Sequence, residues 1–318
     1  MKAAKWWSGF LSFTPNGRYI WRFPFHFGDW CAPGENVRQW LKKGKWIATC
    51  YFANSCGIAA EIADLLGYKE DAAKYRKLRG RIVRAFRAVF TDGRGRLKKE
   101  FQTGYALPLV FGMTEGEETA AMAGHLARLV REAGNKLTTG FSGTPHLLFA
   151  LSDNGYPRAA YDLLLQEECP SWLYEVKAGA TTVWERWDAL RPDGTVNTDE
   201  LFGGKKKDGS GGGMVSFNHY AYGAVGDWLY RRMAGIEPTS GGYRTFRVAP
   251  VPGGGITHAR GSVKTPYGTV KAEWRLEGRN FTIRVEVPVS TACTLVMPNG
   301  ERCELSSGRH EFSCEVDV

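Results

Sequence analysis

The stretch GTVKAEWRLEGRNFTIRVEVPV, Gly268 to Val289, alternates apolar and polar side chains around a Gly278-Arg279-Asn280 break. Val270, Ala272, Trp274 and Leu276 fall on one face before the break, and Phe281, Ile283, Val285 and Val287 on one face after it. A period of two places successive side chains on opposite sides of a strand, so the stretch predicts a β-hairpin with one buried face. Proline and glycine punctuate the chain on either side of it, as expected of a small antiparallel β-sandwich.

Upstream the period changes. WIATCYFANSCGIAAEIADLLG reads as a helix ending at Gly67, and EDAAKYRKLRGRIVRAFRAVF follows directly as a second. EETAAMAGHLARLVREAG stops at Gly134 with Arg131 in its last turn, a residue pair suited to a helix C-terminus. GTPHLLFALSDNG, YPRAAYDLLLQ and FNHYAYGAVGDWLYRRMAG supply further helices. Short connections between successive helices imply antiparallel pairs. About eight helical segments precede Gly235, and the change of period puts the domain boundary near Ile236 to Gly242, dividing the chain into residues 1–236 and 237–318.

The chain has 318 residues, 43% of them hydrophobic, which is enough for a sizeable core. Its net charge of +9 raises the question of nucleic acid. The densest basic run, Lys74 to Arg87, is interleaved with Tyr75, Leu78, Ile82, Val83, Phe86, Val89 and Phe90 at helical spacing. Its cations are therefore expected on the solvated side of an amphipathic helix, and no nucleic-acid partner is expected. The seven cysteines form no C-x-x-C pair and lack zinc-ligand spacing, so reduced, mostly buried thiols and no metal or organic cofactor are expected. Cys293, Cys303 and Cys314 lie close enough in sequence to leave one disulfide open. No segment reaches the roughly 20 apolar residues of a membrane span, and cytoplasmic residence is the default expectation. GGKKKDGSGGG, Gly203 to Gly213, has no G-K-[ST] after it and reads as a surface loop rather than a phosphate cradle.

The densest chemistry lies in GATTVWERWDALRPDG, Gly179 to Gly194, where Glu185 stands next to Trp184 and two residues before Trp187. Glycoside hydrolysis uses two carboxyl groups, and aromatic walls both bind sugar faces and strengthen a nearby carboxylate as a base. The residues alone leave Glu185 equally open to being a surface charge on a turn. His219 in SFNHYAYG could bind a sugar hydroxyl or be a satisfied histidine near a helix start, capped by Ser216 or Asn218. His26 and Asp29 in FHFGDW form at most a weak dyad, with no nucleophile motif beside them.

FGDWCAP, TTGFSGTPHLLFALSDNGYPRAAYDLL, PSWLYEVKAGATTVWERWD and SFNHYAYGAVGDWLY together resemble successive blocks of the bacterial α-L-rhamnosidases, glycoside hydrolase family 78. The segment from Gly242 to Trp274 resembles that family's C-terminal β-domain. The resemblance implies a six-hairpin (α/α)6 barrel followed by a β-sandwich, and inverting release of terminal α-L-rhamnose from a glycoside or oligosaccharide. It implies Glu185 as general base, His219 as a substrate contact and Trp30 as a wall of the sugar pocket, with Trp184 as a lesser candidate for that wall.

The family's general acid sits in an R-G-D…E-R-x-G-W-x-G-D segment ahead of the G-D-W block. The 27 residues before Gly28 contain neither Asp nor Glu. The chain therefore resembles the C-terminal part of such an enzyme, a fragment or split subunit whose barrel lacks its first third. Loss of proton donation commonly costs about 10²–10⁴-fold in rate, so little activity is expected from this polypeptide alone. A second chain supplying the remaining helices and the acid is the expected partner. The rival function is a non-catalytic carbohydrate-binding protein that keeps Trp30, Trp184 and His219 as a platform.

Overall fold

The computed structural model describes residues 19–23, 25–197 and 215–316. The loop read at Gly203–Gly213 lies outside them. The chain separates into two compact units, residues 1–223 and 224–318.

The first unit is helical. Its described helices are α1 (Val37–Leu65), α2 (Lys69–Phe90), α3 (Gln102–Val110), α4 (Gly116–Glu132), α5 (Thr144–Ser152), α6 (Pro157–Leu164) and α7 (Trp172–Lys177). Asn36 starts α1 with a capping box, its side chain accepting from the Gln39 amide while Gln39 returns to the Asn36 amide. The helix begins nine residues earlier than the apolar pattern from Trp46 suggests, because this cap precedes the stretch of regular burial. Small residues at Ala53, Cys56, Ala60 and Ala63 line its buried side. Tyr75 of α2 packs directly on Ala59 and Ala60. Glu70 and Asp71 in the first turn of α2 and Arg87 in its last complement the helix dipole.

The basic run behaves as expected: Tyr75, Ile82, Phe86 and Phe90 are buried while Lys74, Arg76, Lys77, Arg81 and Arg84 are exposed. Val89 is the exception and faces solvent at 46% exposure. It follows the inward Phe86 and precedes the inward Phe90, and a helix turns 100° per residue, so it falls on the outer side. Arg79 is half-buried and caps the end of α3, donating to the carbonyls of Phe111 at 2.6 Å and Gly112 at 2.8 Å.

Two helices carry no amphipathic signal. In α3 every residue from Gln102 to Leu109 is buried, despite Gly104 and Pro108. A helix buried all round has no polar stripe to read. A methyl group on Gly104 would lie 2.7–2.8 Å from Leu97 and the Phe101 ring, so glycine is required by packing there. α7 has only six residues. The segment FNHYAYGAVGDWLYRRMAG departs from a continuous helix. It forms a 3-10 turn at Ala221–Ala224, a short α8 (Val225–Trp228) and a π-turn at Leu229–Met233. Residues 217–220 are non-helical because their backbone pairs elsewhere, as described below.

The second unit holds two four-stranded sheets, in the orders β1-β2-β6-β7 and β3-β4-β5-β8. Their strands are β1 (Ile236–Pro238), β2 (Thr245–Val248), β3 (His258–Thr265), β4 (Gly268–Glu277), β5 (Asn280–Val287), β6 (Ala292–Val296), β7 (Arg302–Leu305) and β8 (Gly308–Glu315). The β4–β5 hairpin turns at Gly278 with φ +60°, a left-handed conformation that glycine adopts without strain. Phe246, Val248 and Leu295 from one sheet and Trp274, Phe281 and Ile283 from the other form a single buried cluster. The two faces therefore meet as in a sandwich. One pairing is not antiparallel: β2 and β6 run parallel, with Phe246 opposite Cys293 and Val248 opposite Leu295. The chain makes β3, β4 and β5 between them, the long excursion a parallel neighbour requires.

All seven cysteines are unpaired thiols. Among the described residues no helix is long and apolar enough to cross a membrane, and no group of three or more His, Cys, Asp or Glu could hold a metal ion.

Candidate active site

Four loops of the helical unit converge around Glu185. The first is the turn at residues 28–32. Gly28 adopts φ +67°, and a Cβ there would lie 1.8 Å from the Trp40 carbonyl oxygen. His26 accepts from the Gly28 amide through Nδ1 at 2.9 Å. Asp29 turns the other way and is fully buried. It accepts from the Thr103 hydroxyl and from the Gly143 amide at 3.1 Å. Burial raises its carboxyl above the ordinary carboxylate range, against the pull of these donors. His26 and Asp29 thus serve separate local bonds.

The second loop, residues 139–146, docks on that turn. The Phe141 amide donates to the Trp30 carbonyl at 2.8 Å, and Ser142 donates to the Gly28 carbonyl at 2.9 Å. Contact is so close that a Cβ on Gly140 would lie 2.1 Å from the Trp30 oxygen and 2.5 Å from the Asp29 oxygen. Gly140→Ala should therefore destabilise the fold by about 1–3 kcal/mol and push the Trp30 turn outward. Thermal unfolding of the variant checks this; an unchanged Tm would refute the steric argument.

The third and fourth loops pair with each other. The His219 amide donates to the Val183 carbonyl at 2.8 Å and the Glu185 amide to the Ser216 carbonyl at 2.9 Å. Thr182 adds a bond from its hydroxyl to the Phe217 carbonyl. This two-rung ladder keeps residues 217–220 out of a helix and ties the Glu185 backbone to that of His219. The Glu185 side belongs to a residue only 7% exposed, so it is not a surface charge. Ser216 does not cap a helix; its hydroxyl accepts from the Asn218 amide in a local turn.

Phe141 links the two halves. Its ring stacks on His219 at 4.8 Å between centroids and meets Tyr222 edge-on at 5.2 Å. Tyr222 donates to the Cys31 carbonyl at 2.9 Å and stacks on Trp187 at 4.0 Å. Trp172 meets Trp187 edge-on and donates to the Tyr222 carbonyl at 2.9 Å. The Cys31 thiol is pushed up to about 12, first by burial and then by the charge of Glu185, which places that carboxylate within electrostatic reach of the Trp30 turn.

The remaining charges of the block lock its own loop. Arg186 binds Asp188 at 3.1 Å, Asn197 donates to Asp188 at 2.7 Å, and Tyr174 donates to the Leu190 carbonyl at 2.7 Å. Trp30 is half-buried, 5.2 Å from Trp40 and 5.4 Å from Phe27. Trp184 is 3% exposed and packs edge-on against Phe217, so its ring offers little area to a ligand. Phe141 and Tyr222 were not singled out by sequence, and Trp187 was read as a sugar wall beside Glu185, whereas its ring is buried against Tyr222 and Trp172. Each sits inside a distinctive block, yet nothing in an isolated aromatic residue tells which ring it will stack on.

Residues 2–233 match the bacterial alpha-L-rhamnosidase 6 hairpin glycosidase domain and residues 235–312 the bacterial alpha-L-rhamnosidase C-terminal domain. The chain belongs to the bacterial α-L-rhamnosidase family. An alpha-L-rhamnosidase of Streptomyces avermitilis is 39% identical over 295 residues, covering 91% of this chain and 27% of that protein. One from Formosa agariphila is 35% identical over 292 residues, covering 90% of this chain and 30% of the relative. Among solved structures, the Streptomyces avermitilis α-L-rhamnosidase complexed with L-rhamnose superposes with a TM-score of 0.86 at 33% identity, over 99% of this chain and 30% of the other. The native enzyme of Aspergillus terreus gives 0.84 at 34% identity, over 91% of this chain and 33% of the other. This rhamnosidase-family chain thus spans about a third of the relatives it matches. Its helical unit is a partial six-hairpin barrel and its β-unit the C-terminal domain of that family.

Proposed function

We propose that this chain carries the general-base half of an inverting α-L-rhamnosidase site, acting on terminal α-L-rhamnose of a glycoside or oligosaccharide. Residues 1–236 form the barrel part and 237–318 the β-domain. The observation that carries the reading is the buried Glu185, laddered to the His219 segment and joined through Phe141 to the Trp30 turn.

In this reading a water lies between Glu185 and the anomeric carbon, on the face opposite the leaving group. Glu185 takes one proton from that water as its oxygen bonds to carbon and the glycosidic bond breaks. His219 holds a ring hydroxyl, Trp30 covers an apolar sugar face, and Trp184 supports the wall from within. An inverting pair stands roughly 6.5–9.5 Å apart to admit the water. The general acid belongs to the R-G-D…E-R-x-G-W segment of the family pattern, contributed by a preceding segment or a second chain. Phe23, Phe25 and Phe27, with Ile58, Ile62 and Leu65 of α1, are exposed apolar surface that such helices would cover. Seven unpaired thiols suit a reducing, cytoplasmic setting.

α-L-Rhamnosyl fluoride tests the base without the acid, because fluoride leaves without being protonated. Proton NMR of the first-formed sugar should show β-L-rhamnose, the inverted anomer. Release of the α-anomer first would refute inversion. Binding of L-rhamnose with no hydrolysis above background would favour the non-catalytic carbohydrate-binding role instead.

A further inference from the structure

One buried carboxyl group next to this site has no part in the chemistry above. Glu175, on the short helix α7, is 3% exposed. Its Oε2 accepts from the Trp184 amide at 3.2 Å, and its Oε1 is buried with no hydrogen-bond partner. No cation among the described residues pairs with it. The titratable groups in electrostatic reach from neighbouring segments are the Cys169 thiol and the Tyr222 phenol, neither of them a cation. On α7 itself, Tyr174 points to the Leu190 carbonyl and Lys177 is engaged by Glu167 at the surface.

The geometry around Trp184 explains why an acceptor is needed there. In an extended segment successive peptide groups point to opposite sides. The Val183 carbonyl and the Glu185 amide both face the 216–219 segment and are bonded to it. The Trp184 amide faces the other way, and Glu175 is its acceptor. Two consecutive peptide groups are thereby anchored, 183–184 from both sides and 184–185 through its amide, immediately before the side chain of Glu185.

We propose that Glu175 is a positioning residue: as a neutral acid it holds the Trp184 amide and so fixes the direction of the Glu185 carboxyl group. The inference rests on the reading of Glu185 as the base. A neutral state agrees with the unpaired Oε1, since an uncompensated buried charge costs more than an unbonded hydroxyl. It also agrees with burial pushing the Glu175 carboxyl up to about 8. The sign follows: a carboxyl raised in the folded state favours folding when protonated, and that contribution fades as pH rises from the ordinary carboxylate range through about 8.

The test compares Glu175→Gln, an isostere of the neutral acid, with Glu175→Met, which removes the acceptor at similar volume. Hydrogen exchange of the Trp184 amide reads the clamp directly, and steady-state hydrolysis of α-L-rhamnosyl fluoride from about pH 6 to pH 9.5 reads its consequence. Glu175→Gln should keep both amide protection and kcat. Glu175→Met should lose the protection and about 10²-fold in kcat, with KM little changed, as a misplaced catalytic group does. Wild-type kcat should fall as pH passes about 8, and this limb should be missing in Glu175→Gln.

Retained protection and kcat in Glu175→Met would overturn the proposal, as would a Glu175→Gln variant as impaired as Met or an unchanged alkaline limb. If Glu175→Met does not fold, the Gln profile decides alone. If wild type hydrolyses nothing, or Glu185→Gln matches it, the reading of Glu185 fails, while amide exchange still decides whether the clamp exists.

Discussion

On the proposed reading, Glu185→Gln should lower the rate of α-L-rhamnosyl fluoride hydrolysis by about 10²–10⁴-fold, the usual loss when a positioned proton acceptor is removed. The variant keeps its amide bond to Ser216 and nearly the same side-chain volume, so the 183–219 ladder and L-rhamnose affinity should stay near wild type. The loss should appear in kcat rather than KM, because the proton is taken only as the carbon–oxygen bond forms. A shorter variant, Glu185→Ala, opens space beside the anomeric carbon. Added azide needs no deprotonation, so it should restore fluoride release and yield β-L-rhamnosyl azide, identified by NMR. Equal kcat in wild type and Glu185→Gln would remove this carboxyl group from the mechanism.

The second large effect is on stability. Trp187 is 2% exposed and is sandwiched by the Tyr222 stack and the Trp172 edge. Trp187→Ala leaves a cavity in the frame that joins the 183–188 loop to the 222 turn, at a cost of about 3–5 kcal/mol. For a unit of this size about 2–4 °C of Tm accompanies each kcal/mol, so unfolding should come about 6–20 °C earlier. Because Tyr222 also holds the Cys31 carbonyl, the Trp30 turn should loosen with it, and L-rhamnose affinity should fall in step with Tm. Trp187→Phe retains a ring on Tyr222 and should recover most of both. A Trp187→Ala protein that melts with wild type would show that the stack carries little of the fold.

How much of this was legible beforehand differs by element. The β4–β5 hairpin could be read residue by residue, because a half-buried strand writes its two faces into alternate positions. α2 could be read almost as well, Val89 apart, because its buried stripe contrasts with a run of Lys and Arg. α3 could not, since a helix enclosed on all sides has no contrast, and Gly104 and Pro108 look like breaks until Leu97 and Phe101 are seen to press on the glycine. The segment after Phe217 was misread as one helix. Its apolar spacing is helical, but the His219 amide is taken by the Val183 carbonyl and the preceding Ser216 carbonyl by the Glu185 amide, residues more than thirty positions away. The parallel β2–β6 pairing was equally hidden, because strand direction within a sheet depends on where the chain returns.

The site divides along the same line. Glu185, Trp30 and His219 were put forward through the family resemblance of their blocks, while the residue types alone left Glu185 and His219 open. Trp184 is the instructive neighbour: its block marks it as readily as Trp30, yet its ring is turned into the core. Asp29 was read only as half of a weak dyad and Glu175 not at all, since the amides they accept from, Gly143 and Trp184, lie in other segments.

By itself, the sequence determined the two architectures in series, the family to which they belong, and the contiguous blocks from which the site residues are proposed. All of these depend on local pattern: periodicity, caps, breaks and contiguous motifs. Only the tertiary structure decided which aromatic rings are framework, which carboxyl groups are enclosed, and how the 28–32, 139–146, 182–188 and 216–222 loops are bonded together. The physical reason is that burial and hydrogen-bond partnership are properties of pairs of segments. No stretch of chain records its partner until folding brings the two into contact.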